Sequence, residues 1–270
     1  MSKLDIYCLT SKEFEFFKRL PSNIIPLGLG KNQFYKNIIN ENNGDSIVEF
    51  NKYFAEMTGI YWIYKNKINN YNENDFVGFC HYRRLWLREK FEKKHNNKEK
   101  LFDVLLSKKN DFFKDSDVIL LNPTYLKNET IYEHFKNNHG EDIIEESFKL
   151  LNDTHSIAFK NYLNNRSFSL CNMFITKPKV FIKYCEFIFP LLFNLLEFSK
   201  SKNLLTGRNI KLPAYFMERF TSFWFHNYYN VKYLSYIQLN NFLISDLLNK
   251  NFNTFKIPFS HKFYPTVLDI

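Results

Sequence analysis

The sequence predicts an α/β fold in one domain, on three observations. Short apolar runs bounded by turn residues recur at Leu4–Leu9, Ile24–Leu29, Phe76–Cys80 and Asp117–Leu121, as buried strands require. Helical patterns lie between and after them, at 51–67, 180–198 and from Pro213 onward. No Pro/Gly/Ser-rich linker divides the 270 residues, which favours one large domain with a C-terminal extension over two small ones.

Aromatic residues at 19% and hydrophobic residues at 45% are ample for a core and exclude disorder of the whole chain. The formal charge of +9 fits nucleic acid, an anionic membrane surface or a phosphorylated substrate, and does not choose among them. Cys8, Cys80, Cys171 and Cys185 form no CxxC pair and read as reduced core residues of a cytosolic protein. The first ten residues carry no secretory apolar region. Phe187–Leu196 is interrupted by Pro190 and Asn194 and is too short to span a bilayer. A soluble or membrane-peripheral protein is expected.

Leu4–Leu9 is the first strand, closed by Thr10 and Ser11 and followed by a helix-like Glu13–Arg19. Ile24–Leu29 is the second. Its Gly28-Leu29-Gly30 is a fragment of a phosphate loop with no third glycine, weak evidence for a dinucleotide. Asn42–Asp45 is a turn, and Ser46 and Glu49 have capping-box spacing. Residues 51–67 read as one helix, with Phe54, Thr58 and Trp62 on one face and Glu56 on another side. By periodicity alone, an incidental Glu56 outweighs a catalytic one.

Phe76–Cys80 is a buried strand in which Gly78 marks a close backbone or ligand approach. It ends in His81, Tyr82, Arg83 and Arg84. Ligands of open α/β sheets bind at the carboxyl ends of strands, and guanidinium groups bind phosphate bidentately. The competing reading is an Arg pair on surface carboxylates. Residues 87–110 read as a solvated helix plus loop.

Asp117–Leu121 is another strand, ended by Asn122-Pro123. Thr130 and Glu133 form a capping box opening a helix with His134 and His139. The two histidines are five apart and make no one-face metal pair. Phe168–Thr176 alternates like a strand, and Asn172 within it must find a backbone or ligand partner. Val180–Phe198 is a helix expected to bend at Pro190. Pro213 opens the next, with Phe216, Phe220, Phe223 and Trp224 as its core stripe and Tyr215, Arg219, Ser222 and His226 on another face. Glu218 and Arg219 are adjacent, so they diverge by about 100° on that helix. Their bland reading is a surface ion pair.

No paired CxxC motifs, Walker loop, GxSxG or kinase signature is present, nor any D-x-D after an apolar strand to hold a divalent metal on a diphosphate. Fixed positive charge does part of that metal's work. Arg83 or Arg84 is the expected substitute.

The run Asn42–Ile47, with Asn51, Tyr53-Phe54, Glu56, Thr58, Tyr61-Trp62, Lys65-Asn66, Gly78 and Cys80–Arg84, resembles the bacterial domain-of-unknown-function family 4422. The resemblance continues through Asp117–Leu120, Thr130–His134, Cys171–Ile175, Tyr184-Cys185 and Glu218-Arg219, over roughly residues 3 to 230. Met57, Leu85-Trp86 and Leu121-Asn122 depart from the usual pattern, and none of them removes a charged motif residue. Members of that family occur in capsular, exopolysaccharide and O-antigen clusters and look like glycosyltransferases, with a galactofuranosyltransferase branch.

The resemblance implies a GT-A-like single domain: a Rossmann-like mixed central sheet flanked by helices, with a helical C-terminal part. The domain would span 1–232, its N-terminal half binding donor and its C-terminal half acceptor, with 233–270 an extension packed on it. The implied enzyme transfers a sugar from a nucleotide-diphosphate sugar, UDP-hexose or UDP-galactofuranose, to a glycan or lipid-linked glycan. It would work in the cytoplasm, at the inner face of the membrane, in capsule or surface-polysaccharide assembly. Thr10 would lie by the nucleoside. Asp45 and Glu56 would line the donor pocket. His81, Arg83 and Arg84 would meet the diphosphate. Asn172 and the Glu218-Arg219 pair would sit on the acceptor side, and His134 and Tyr82 would also bind substrate. Asp45, Glu56 and Glu218 are candidates for the general base, with Glu218 preferred. No cofactor is expected, and a divalent metal stays open. The alternative is a non-catalytic glycan- or nucleotide-sugar-binding module of an assembly complex. A nucleic-acid binder, motivated by charge alone, lacks any recognised module.

Overall fold

The carboxyl ends of three strands meet where His81 and Thr10 lie. The structure, a computed structural model, describes residues 2–34, 38–88, 102, 105–109 and 111–239. Strands β1 (Leu4–Thr10), β2 (Ile24–Gly28) and β3 (Ile39–Asn40) run parallel, and β4 (Phe76–His81) lies parallel on the other side of β1. In that register Leu9 faces His81 and Thr10 faces Gly28. The short β5 (Arg84–Trp86) turns back antiparallel on β4.

Next come β6 (Val118–Leu121), β7 (Thr124–Tyr125), β8 (Ser167–Phe168), β9 (Phe174–Thr176), β10 (Val231–Leu234) and β11 (Tyr236–Gln238). Strand β9 enters antiparallel between β4 and β6, and β10 pairs with β6 in parallel. Among the described residues the main sheet has the order β10-β6-β9-β4-β1-β2-β3, with β5 and β11 beside it. This is a mixed, mostly parallel sheet with helices against it.

Both faces of the sheet are covered, which is why its strands read as continuous apolar runs rather than alternating ones. Tyr7, Leu9, Val77 and Phe79 join a core with helices α2 (Met57–Asn66), α6 (Pro178–Ser201) and α7 (Leu212–Tyr228). Ile6, Cys8, Phe76 and Cys80 face the opposite way onto Leu85, Trp86 and Phe113. The C-terminal part is helical, adding α3 (Ile131–His139), α4 (Asp142–Leu150) and α5 (Asp153–Leu163). The Thr130 box forms as expected: Glu133 N donates to Thr130 Oγ1 at 3.1 Å and Thr130 N to Glu133 Oε2 at 2.7 Å. All four cysteines are free and buried.

Several expectations need correction. The helix expected over 51–67 is two helices, α1 (Asn51–Phe54) and α2, broken at Ala55, whose φ is +47°. The strand expected over 168–176 is interrupted at Cys171 and Asn172, with φ of +77° and +46°. Apolar alternation cannot see such reversals, because both sides of the break remain buried. Glu13–Arg19 forms only a 3-10 turn at Glu15–Arg19. Ser46 takes Val48 N instead of completing a box with Glu49, and a 3-10 turn follows. In the stretch read as solvated, Leu87, Leu105 and Leu106 are buried, and the rest lies largely outside the described residues. A Cβ on Gly78 would sit 2.7 Å from Ile175 Cγ1, so its close approach is to β9 and not to a ligand.

Position 232 falls inside β10, and β11 beyond it pairs with β5; residues 240–270 lie outside the described residues. Among the described residues no helix is long and apolar enough to cross a membrane.

Candidate active site

Glu56 is the first residue after the Ala55 reversal. Had residues 51–67 formed one helix, Glu56 would follow the face dictated by a 3.6-residue period. The positive φ of Ala55 resets that direction, and the side chain turns toward the loop before β9. There Asn172 Nδ2 donates to Glu56 Oε1 at 2.8 Å. Burial raises the Glu56 pKa above its ordinary value; the Asn172 hydrogen bond and the charges of Lys211 and Arg84 oppose the rise without cancelling it.

Asn172 is itself 2% exposed and satisfied on both ends. Its Oδ1 accepts from Thr221 Oγ1 at 2.9 Å, and Thr221 pairs with the Tyr184 hydroxyl at 2.6 Å. Two successive non-glycine residues with positive φ, Cys171 and Asn172, are costly. Such strain collects at functional sites, where surrounding contacts hold it.

His81 ends β4 and bonds the Cys171 backbone. Its pKa is pushed down to about 3, first by burial and then by Arg84, so the imidazole is neutral near pH 7. Its Nε2 is buried with no hydrogen-bond partner among the described residues. Arg84 starts β5, which Trp86 anchors: the indole is fully buried and donates Nε1 to Phe79 O at 2.9 Å. Arg84 Nε donates to Gln238 Oε1 at 2.9 Å. The charge of Arg84 reaches His81, Glu56, Cys171 and Glu218. It is the cation these groups share.

Glu218 comes to the same place from α7. Its pKa is raised to about 7, first by burial; Arg219 lowers it, Glu56 raises it and Arg84 lowers it. Its side chain keeps 23% exposure, so it is open to a substrate. Arg219 is not on the surface. It is 4% exposed, bonds Glu218 Oε2 at 3.2 Å and Tyr215 O at 3.0 Å, and donates Nη2 to His134 Nδ1 at 3.1 Å. A donor at Nδ1 requires the neutral His134 tautomer protonated at Nε2. Arg219 also lies over the Phe135 and Phe168 rings. It ties α7 to α3 and the strand before Cys171.

The remaining predicted residues are placed as follows. Thr10 is buried at the end of β1; Lys12 N donates to its hydroxyl at 3.1 Å and Leu29 N to its carbonyl at 2.8 Å. Tyr82 stacks on Phe14 at 4.9 Å, and the exposed Arg83 lies over the Tyr82 ring. Asp45 is exposed and bonded to Tyr61 and Asn66 in the later turns of α2, whereas Glu56 stands at the start of that helix. The structure gathers Glu56, His81, Arg84, Asn172, Glu218 and Arg219 into one cluster. It does not bring Asp45 into it.

A family model for a domain of unknown function, DUF4422, matches residues 5–230. The chain belongs to the DUF4422 family. No curated protein matches it. Among solved structures, this DUF4422 chain is similar to the apo form of the WbbM bifunctional glycosyltransferase, with a TM-score of 0.67 at 21% identity. The likeness covers 89% of this chain and 46% of WbbM, so the chain spans about half the length of that structure. At that identity it shows a shared fold.

Sequence reasoning missed three contributors. Lys211, just before α7, reaches Glu56 with its charge. Thr221 holds Asn172 from a position that reads as helix interior. Glu41, a lone acidic residue in a polar loop, is fully buried and bonded to Thr58 at the start of α2. None belongs to a spaced motif. A buried polar residue on an apolar helix, as Thr221 is, was the one available signal. Among the described residues no three His, Cys, Asp or Glu side chains gather as metal ligands.

Proposed function

We propose that this DUF4422 domain is a glycosyltransferase that moves a sugar from a nucleotide-diphosphate sugar, UDP-hexose or UDP-galactofuranose, to a glycan or lipid-linked glycan acceptor. The observation that carries this reading is the convergence of Glu218 and Glu56 around Arg84 and neutral His81 at the carboxyl ends of β1 and β4. The fold shared with a glycosyltransferase supports it.

In this mechanism Glu218 is the general base. A carboxyl with a pKa near 7 and a partly open side chain accepts the proton of the acceptor hydroxyl as it attacks the anomeric carbon. Arg84, assisted by Arg83 at the rim, stabilises the negative charge on the departing nucleoside diphosphate. His81 lines the diphosphate side as a neutral imidazole. Glu56, held by Asn172, keeps the Glu218 proton affinity high and shapes the pocket between donor and acceptor. Thr10 and the ends of β1–β3 take the nucleoside, and the Asn172 and α7 side takes the acceptor. The reading takes Arg84 in place of a metal, and Glu218 as base serves an inverting transfer; a retaining outcome would remove Glu218 from that role. The enzyme acts in surface-polysaccharide assembly at the inner membrane face, where basic residues meet anionic lipid.

A thermal-shift screen of nucleotide sugars, with and without Mn²⁺, tests the donor, because a bound donor raises apparent stability by mass action. Nucleoside-diphosphate release in chelator then tests catalysis. Release that survives chelator supports the reading, and loss of activity in chelator defeats the role of Arg84. Tight glycan binding with no release under any condition would favour a binding module.

A further inference from the structure

Glu41 is a buried carboxyl whose recorded partners lie outside the cluster. It follows β3, is fully buried, and its amide donates to Gly28 O at 3.1 Å. Its Oε1 accepts from Gly30 N at 2.6 Å and from Thr58 Oγ1 at 3.0 Å. Asn51 completes the arrangement: its Nδ2 donates to Thr58 Oγ1 at 2.9 Å and to Ala55 O at 3.0 Å. The Thr58 hydroxyl has one proton and two acceptors at 3.0 Å, Glu41 Oε1 and Ala55 O, so Thr58 and Asn51 both stand against the Ala55 carbonyl while Glu41 holds Thr58. A buried carboxyl is an expensive way to close a loop unless it fixes something.

What it fixes is Ala55. That residue has φ +47° and ψ −124°, a conformation that disfavours any side chain. Asn51 and Thr58 stand on opposite sides of the break, one in α1 and the other in α2, and Glu41 locks Thr58 from the sheet side. The next residue is Glu56. We propose that Glu41, through Thr58 and Asn51, is a positioning residue that holds the Ala55 reversal and thereby aims Glu56 at the catalytic cluster. The inference rests on the transferase reading above for its effect on turnover, but not for its effect on the backbone.

The test uses the full chain and a rescue. Thr58→Val keeps volume and branching and deletes the hydroxyl. It is expected to lower kcat about tenfold with KM for donor and acceptor within about twofold, as a misaimed group does. Glu41→Gln, which keeps an acceptor oxygen, should stay near wild type, while Glu41→Ala should behave like Thr58→Val. Glycine adopts positive φ freely, so adding Ala55→Gly to Thr58→Val should restore most of the lost turnover.

A folded Thr58→Val chain with wild-type kcat overturns the proposal, as does no recovery with Ala55→Gly. If the wild-type chain turns over no donor, the transferase reading fails, and urea midpoints decide this inference separately. The midpoint loss from Thr58→Val should then shrink in the Ala55→Gly background, and strictly additive losses would overturn it.

Discussion

Asn172 donates to Glu56 at 2.8 Å across 116 residues of sequence, joining the loop before β9 to the start of α2. The same side chain accepts from Thr221 on α7. Three segments that carry the cluster are therefore registered against one another by one amide. The amide reaches both partners only because Cys171 and Asn172 reverse the chain ahead of β9.

Replacing Asn172 tests that registration. Asn172→Gly suits a φ of +46° and removes only the side chain. It leaves Glu56 without its donor and Thr221 without its acceptor, at a cost of about 1–3 kcal/mol in stability. Losing that donor also raises the Glu56 pKa further. Chemical denaturation should show the loss, and turnover should fall with it. An unchanged midpoint would show that the amide is not a structural link.

Glu218→Gln should reduce kcat by about a hundredfold or more, the usual contribution of a positioned base. In the wild type, kcat/KM should rise along a limb near pH 7 as Glu218 ionises. Arg84 lowers the Glu218 pKa, so Arg84→Ala should move that limb to higher pH as well as slow the reaction. Arg83→Ala should leave the limb in place, because Arg83 is exposed over Tyr82. A pH–rate profile of the three variants checks all of this, and an unmoved limb in Arg84→Ala would remove Arg84 from the base's surroundings.

Glu41 also leaves a mark on stability against pH. Its pKa is raised from 4.5 to about 7, mainly by burial, so between those values the folded chain holds a proton that the unfolded chain has released. The stability this contributes is present below pH 4.5 and is lost as pH rises through 7. His81, lowered from 6.5 to about 3, acts in the opposite sense: its contribution is present above 6.5 and is lost as pH falls toward 3. The two overlap, so wild-type curves alone do not separate them. The stability difference between Glu41→Gln and wild type should shift in favour of the variant from pH 4.5 to 7. Urea titrations across that range would show it, whereas a flat difference would mean that Glu41 titrates normally.

Gly78→Ala should destabilise the sheet without touching the cluster. The added Cβ would meet Ile175 Cγ1 at 2.7 Å and Ile175 Cβ at 3.2 Å, both in the packed core between β4 and β9. Overpacking of this kind costs about 1–3 kcal/mol. A thermal melt at wild-type Tm would show that β9 yields more easily than a buried strand should.

The strands were legible because burial on both faces leaves apolar runs that composition alone reveals. Four runs became β1, β2, β4 and β6, and the Thr130 box opened α3 as its residue types dictate. The motif at the end of β4 was visible for the same local reason: charged residues directly after a buried apolar run mark the end of the strand. The sequence by itself also determined that Asn172 needed polar partners, since an amide among apolar neighbours cannot stay buried without them. Only the tertiary structure decided which partners, and which of two adjacent arginines joins the cluster. Those choices depend on backbone reversals at Ala55, Cys171 and Asn172, where residues with ordinary preferences sit at positive φ beside side-chain hydrogen bonds, local ones from Asn51 and Thr58 at Ala55 and long-range ones to α2 and α7 at Asn172. A local pattern records the preference of each residue and not the contact that overrules it, so the direction of Glu56 and the role of Glu41 became visible only once the chain was folded.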